Sequence, residues 1–510
     1  MFRLIRPDLR PMHTDESVNA HKFGTLLETG EYRYDKAEYH GPALYYSALP
    51  VAWIKGQTTY QSLDEATLRI VPALSGLLLM AFLFFFIKEW KWEFVLVSGI
   101  LFAIAPALVF YNRYFIHESL LAFFSFAFLL SGYKYLAGRK IAWLVVTGVF
   151  AGLMHATKET CVINYGVAIV ALIIVISIQR KGRGHKSEKC SRIPGWHFLV
   201  AAVCAVAVSI LFFSSFFSNP RGIIDSVTTY TVYFDRAGVD EAHIHPWYFY
   251  LTLLISPGRM DGSFGTEIWL VITGIAGFIL LLFRKDRDRP ENLLLFIGFY
   301  SLLLCLVYSA MPYKTPWNIL QFYPGLLFLS GYTFIRILRF KSLRWLQVVL
   351  LIFFLSGCVH WGWTSFQYNF RYYSEPGNPY VYAHTGRDIL KISGEIDRIG
   401  MVHPEGYDIA VEVVFPGHDY WPLPWYLRKF SNTGYYSEVD TSKPAAPIII
   451  IHESVEKQLV GKLYELPRPG ERYLYVPLSR EYLELRPGVE MRAYVRKELW
   501  DLMNKPGEDI

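Results

Sequence analysis

Six carboxylates crowd the stretch HTDESVNAHKFGTLLETGEYRYDKAEYHGPALYY, from His13 to Tyr46: Asp15, Glu16, Glu28, Glu31, Asp35 and Glu38, followed by His40 at the edge of an apolar run. A pair such as Asp15-Glu16 can take a proton from a hydroxyl, share a divalent ion, or do neither and sit in a solvated loop. Further ionisable groups stand at the ends of later apolar runs: Arg113, His117 and Glu118 in NRYFIHES, His155, Lys158 and Glu159 in HATKET, and Lys314 in PYKTPWN. Charges at membrane depth are costly, which makes them functional candidates. Any one of them alone is as well explained as a side chain reaching for the interface. Two are weaker: His117 and His155 read first as hydrogen-bonded packing residues. The prolines of PYKTPWN fix a bend whatever Lys314 does. The run GHDYWPLPWYLR offers aromatics and Arg428 either as an acceptor surface or as a packing seam, and the seam is the simpler reading.

The elements that must position these groups are mostly membrane helices. Of 510 residues, 53% are hydrophobic and 17% aromatic, with the charges confined to patches. Ten apolar runs have the length of a crossing helix: approximately 69–87, 94–111, 115–136, 141–157, 161–178, 197–217, 268–283, 293–311, 319–338 and 343–363. The net charge of +6 does not indicate nucleic acid, because the basic residues lie in short loops between apolar runs. Alternate connections carry eighteen Lys and Arg against six in the others. That bias puts the rich set in the cytoplasm and both the acidic N-terminal stretch and the C-terminal tail outside. Residues 1–11 (MFRLIRPDLRP) hold no signal-like apolar core, so a further helix upstream of Met1 is expected. Residues 42–54 and 246–256 are too short to cross and read as helices lying at the interface. Cys161, Cys190, Cys204, Cys305 and Cys358 suggest neither a disulfide framework nor a zinc site.

Beyond Trp363 the pattern becomes that of a soluble α/β domain, with strands expected at 407–415 and 447–452 and helices at 383–398 and 425–430. The expected organisation is an extracytoplasmic acidic loop with juxtamembrane helices (1–68), a transmembrane domain (69–363) and an extracytoplasmic α/β domain (364–510).

The motifs also carry a resemblance. Asp15-Glu16 near the start, then His-Gly-Pro-Ala-Leu-Tyr-Tyr entering the membrane, then Glu118 in RYFIHESLLAF, resemble glycosyltransferase family 39 and its GT-C-fold relatives, including protein O-mannosyltransferases and aminoarabinose transferases. RPMHTDESVNAHKF, EYHGPALYY, ATKET, MPYKTPWN and YWPLPWYLR look most like the prokaryotic membrane family named for flippase-activity-associated proteins of archaeal N-glycosylation.

The resemblance implies an α-helical polytopic GT-C-like enzyme that moves a sugar from a polyprenyl-phosphate donor to a protein, glycan or lipid acceptor on the outer face of the cell membrane. In that reading Asp15 is the base, with Glu16 and Glu118 completing the acidic site. Arg113, Lys158 and Lys314 face the phosphate, with Glu38, His40, His117 and Glu159 also lining the substrate site. Glu38 and His40 stand where aminoarabinose transferases carry a metal-binding pair, with His40 in place of a lysine. A divalent ion (Mg, Mn or Zn), if used, would draw on Asp15, Glu16, Glu38 and His40. The competing class is a non-enzymatic accessory or transport protein for lipid-linked sugars. The clustering of charge at one membrane face, without an internal repeat, favours the enzyme.

Overall fold

The structure is a computed structural model that describes residues 2–36, 40–183, 193–236, 243–260, 263–468, 470 and 472–504. The chain divides into two compact units, each assembled from separated segments. The first comprises Met1–Pro7, Thr29–Gly56 and Ala66–Tyr382; the second comprises Asp8–Glu28, Gln57–Glu65 and Ala383–Ile510. These lines differ from the sequence boundaries at both ends. The acidic stretch is shared between the units, and residues 364–382 stay with the helices because the Tyr368 hydroxyl donates to the Gly265 carbonyl (2.9 Å) and the Tyr380 hydroxyl to Glu267 (2.7 Å).

In the first unit all ten expected apolar runs are helical. The helices are Glu65–Phe82, Ile87–Ile104, Glu118–Gly138, Ile141–His155, Cys161–Arg183, Gly195–Phe213, Ile268–Phe283, Arg289–Ala310, Tyr323–Leu338 and Arg344–Phe366. Six continuous stretches among the described residues are long and apolar enough to cross a bilayer: Glu65–Ile104, Glu118–Gly138, Cys161–Lys181, Gly195–Phe213, Arg289–Ala310 and Arg344–Arg371. The first of these, 40 residues long, breaks at Lys91, where a φ of 64° interrupts the helical backbone. Phe198, Leu199, Val203, Ile352 and Val359 point outward from their helices, as side chains solvated by lipid do and side chains solvated by water do not.

Small residues set the closest approach. A Cβ on Gly148 or Gly152 would meet the carbonyl oxygen of Ala201 or Ala205 at 2.4 and 2.5 Å, so this GVFAG face brings Ile141–His155 hard against Gly195–Phe213. The expected interfacial segments are helices at Ala43–Ile54 and Phe249–Ile255, and a hairpin of β1 (Gly258–Met260) and β2 (Ser263–Gly265) follows the second.

The second unit is built on a six-stranded sheet. Strand β3 (Val411–Val414), the middle one of three parallel strands, pairs with β4 (Thr433–Tyr436) on one side and β5 (Ile448–His452) on the other. β8 (Val489–Arg496) runs antiparallel to β5 and also pairs with β6 (Tyr475–Pro477) and β7 (Glu484–Arg486). Apolar residues cover both faces, which is why β3 and β5 read as continuous Val and Ile runs. One face packs on Ile389, Ile392, Ile396 and Ile399 of helix Asp388–Val402, and the other on Val455, Leu459 and Leu463. Glu412 faces the second layer and is paired there with buried Lys462 at 2.7 Å. The acidic pair expected in a loop is instead in a helix, Thr14–Thr29.

Candidate active site

The ends of several helices in the first unit converge on one charged cluster. His117 and Glu118 open helix Glu118–Gly138, while Lys158 and Glu159 sit in the turn between Ile141–His155 and Cys161–Arg183. His40 and Gly41 precede the helix Ala43–Ile54. Gly41 is needed there. A Cβ would lie 2.3 Å from the Ala156 carbonyl, which instead accepts the Ala43 amide at 2.8 Å and ties the HGPALYY run to the ATKET turn.

At the centre, Lys158 pairs with Glu118, and both side chains are nearly sealed from solvent, at 10% and 4% exposure. Gln321 donates to the Glu118 carbonyl at 3.3 Å. An ammonium carries three N–H donors, and Glu118 is the side chain it engages among the described residues. Among the described residues Lys158 therefore keeps N–H donors to spare in a place where water competes poorly.

Beside this pair, Glu159 accepts from the Tyr34 hydroxyl at 2.6 Å and lies 2.9 Å from His40 Nδ1. Burial alone would push the Glu159 carboxyl up, but the neighbouring His40 and the hydrogen bonds from His40 and Tyr34 outweigh it and hold the group down at about 2. Glu159 is thus an anion with committed partners. His117 lies 5.2 Å from the His40 ring, edge to face, and its Nε2 reaches the Gly41 carbonyl at 3.1 Å. Burial, then the nearby His40 and Lys158, hold the His117 imidazole well below its usual range, so it is neutral and Nε2 carries the donated proton.

The structure gives two other expected phosphate ligands different work. Arg113 donates to the carbonyls of Phe2 (2.6 Å), Ile5 (2.7 Å) and Arg6 (2.8 Å) and lies over the Phe370 ring, fastening the N-terminal segment. Lys314 donates to the carbonyls of His245 (2.8 Å) and Met311, closing the PYKTPWN bend. Glu38 lies outside the described residues. His155 holds Ser209 at 2.7 Å, the packing role expected of it.

Asp15 and Glu16 belong to the second unit, on the first turn of helix Thr14–Thr29, and they differ sharply. Glu16 is fully buried, and its carboxylate reaches back to the His13 amide at 3.1 Å. The His13 ring accepts the Asp15 amide through Nδ1 at 3.1 Å. Together they form a helix cap in which histidine takes the place of the usual serine or threonine. Asp15 keeps a side chain that is 46% exposed. His13 Nδ1 is 4.0 Å from its carboxylate, but a nitrogen that accepts an amide proton has none to share, so this is no ion pair. Among the described residues Asp15 has no cationic partner.

Among the described residues no three His, Cys, Asp or Glu side chains are placed to hold a metal ion. Of the expected ligands, Glu16 is committed to the cap and His40 Nδ1 to Glu159. Sequence reasoning did not single out Tyr34, which has no charge to mark it, or Gln321, seven residues beyond Lys314.

Comparison with known proteins bears on the fold and on the part of the chain that holds this cluster. Residues 43–220 match the family model of dolichyl-phosphate-mannose-protein mannosyltransferase. No curated protein matches in sequence. The fold is similar to that of ArnT from Cupriavidus metallidurans bound to undecaprenyl phosphate, with a TM-score of 0.64 at 14% identity over 96% of each chain. The apo state of that protein gives a TM-score of 0.60 at 14% identity over 96% of this chain and 95% of that one. The oligosaccharyltransferase of Archaeoglobus fulgidus, tethered to an acceptor peptide containing the NVT sequon, gives 0.51 at 14% identity over 83% of this chain and 60% of its own. The chain therefore has the GT-C fold of membrane glycosyltransferases, and its match to a sugar-transferase family spans Glu118, Lys158 and Glu159.

Proposed function

We propose that this protein is a glycosyltransferase that moves a sugar from a polyprenyl-phosphate donor to a hydroxyl acceptor on the extracytoplasmic face of the membrane. The observation that carries the reading is the buried Lys158 ammonium, which engages Glu118 alone among the described side chains, set at helix ends in a fold similar to that of ArnT bound to undecaprenyl phosphate. Departure of the lipid phosphate leaves negative charge, and a fixed ammonium out of bulk water stabilises it in the transition state more than in the ground state. Glu118 holds Lys158 in place and Glu159 fixes His40. Asp15 is the base: it is ionisable, half-exposed and free of a cationic partner among the described residues, so an acceptor can reach it.

In the reaction the acceptor O–H gives its proton to the Asp15 carboxylate as its oxygen bonds to the anomeric carbon. The bond from that carbon to the phosphate oxygen breaks, and the polyprenyl phosphate leaves with the electron pair. Attack opposite the leaving group inverts the anomeric centre.

The test is sugar transfer by the purified full chain from a panel of labelled polyprenyl-phosphate sugars, scored as release of polyprenyl phosphate dependent on acceptor. Asp15→Asn is expected to lower turnover by about 10²–10⁴-fold, the range for losing a general base, with an unchanged melting temperature. Full turnover in Asp15→Asn would refute the assignment of the base.

A further inference from the structure

The run GHDYWPLPWYLR divides in two within the second unit. Its second half is packing: Leu423, Trp425 and Leu427 are buried, Trp425 Nε1 donates to Glu65 at 2.8 Å, and Arg428 lies over the Trp425 ring while donating to the Leu63 carbonyl. Its first half is not. Pro416 to Asp419 are exposed, and Tyr420 and Trp421 are half-buried.

This open half leaves the carboxyl end of β3, the central parallel strand, where ligands of open α/β sheets are commonly held. It carries a ledge of rings: His418 lies 6.0 Å from Tyr420, Tyr420 is 4.9 Å from Tyr435 and 6.1 Å from Trp421, and Trp421 is 6.2 Å from the exposed His21. The ledge is fastened to the turn that bears Asp15. Arg486 bridges the two, donating to Thr14 Oγ1 and to the Asp419 carbonyl, each at 3.1 Å, and pairing with the Asp419 carboxylate. Ser17 reaches the Pro422 carbonyl at 3.5 Å.

We infer that the ledge His418–Trp421 is the acceptor-binding surface and that the acceptor is a saccharide. This rests on Asp15 acting as base, since a group held on the ledge is held beside the first turn of helix Thr14–Thr29. The class follows from the chemistry of the ledge. Rigid, half-exposed aromatic faces offer the C–H faces of a sugar ring a stacking platform at little entropic cost, and the Asp419 carboxylate, 56% exposed and oriented by Arg486, can accept from its hydroxyls. A lipid acceptor would call for exposed aliphatic side chains, and the open half of the run has none.

The full chain in detergent, labelled and applied to an array of oligosaccharides and Ser/Thr peptides, tests this. Binding to at least one oligosaccharide is expected, falling tenfold or more in Trp421→Ala, returning in Trp421→Phe, and persisting in Asp15→Asn. Should Trp421→Ala fail to fold, Asp419→Ala supplies the readout, with a severalfold loss expected. Binding to no oligosaccharide, binding to peptides alone, or glycan binding unchanged by these substitutions would each overturn the inference. Full turnover in Asp15→Asn beside a lost glycan in Trp421→Ala would remove the base and leave the ledge.

Discussion

Asp15 and Glu118 are both first-turn carboxylates, yet they sit in opposite electrostatic settings. Glu118 is sealed and neutralised by Lys158; Asp15 is half-exposed with no cation to hold it among the described residues. A buried pair depends on both partners, because losing one strands the other in a medium that cannot solvate it. An exposed carboxylate contributes little to folding and can be spent on chemistry. In the proposed mechanism this contrast separates the residues at the phosphate end from the one that takes the proton.

The largest effect should come from breaking the buried pair. Lys158→Met or Glu118→Leu alone is expected to cost about 3–5 kcal/mol, and the double substitution to recover most of that without recovering transfer. Thermal unfolding in detergent checks it, and equal stability of all three variants would erase the distinction from Asp15.

Next comes Glu159. Its carboxyl is held down at about 2, so the stability it contributes is present above its unfolded value near 4.5 and is lost as pH falls towards 2. The full difference corresponds to about 3 kcal/mol. Melting temperatures between pH 6 and pH 3 should fall more steeply in the parent than in Glu159→Gln; parallel curves would mean that the His40 and Tyr34 contacts do not hold the charge.

The smallest effect sharpens the comparison within Asp15-Glu16 itself. Glu16→Ala removes half of a helix cap and should cost about 1 kcal/mol, with any loss of transfer far below that of Asp15→Asn. Measured side by side, a larger kinetic loss at Glu16 would reverse the two roles.

The transmembrane part was legible because lipid demands long apolar runs, and every expected run is a helix. The helix Thr14–Thr29 was not: TDESVNAHKFGTLLET has few apolar positions, and the side chains it does bury, Phe23 and Leu26 among them, lie in a unit completed by residues far down the chain. The capping contact of Glu16 was hidden because a cap built on His13 has no familiar signature. Lys158 and Glu118 were legible as charges at helix ends. Their union was not, since forty residues separate them. Of the sheet, β3 and β5 showed as Val and Ile runs, while β6 and β7 are three residues each and too short to carry a pattern.

The segmented second unit has a consequence for how the protein is made. The Met12 amide donates to the Tyr426 hydroxyl across 414 residues, and Thr385 donates to the Met12 carbonyl across 373. Translation delivers the Asp15 helix before its supporting loop, with the six candidate crossing stretches of the described residues in between. Until residue 426 has been made, the Met12 end of that helix lacks its Tyr426 contact, so the surroundings of the proposed base are completed by residues far down the chain. Chains cut short after Arg371 would keep both members of the Lys158–Glu118 pair and lack the Tyr426 and Thr385 contacts at Met12.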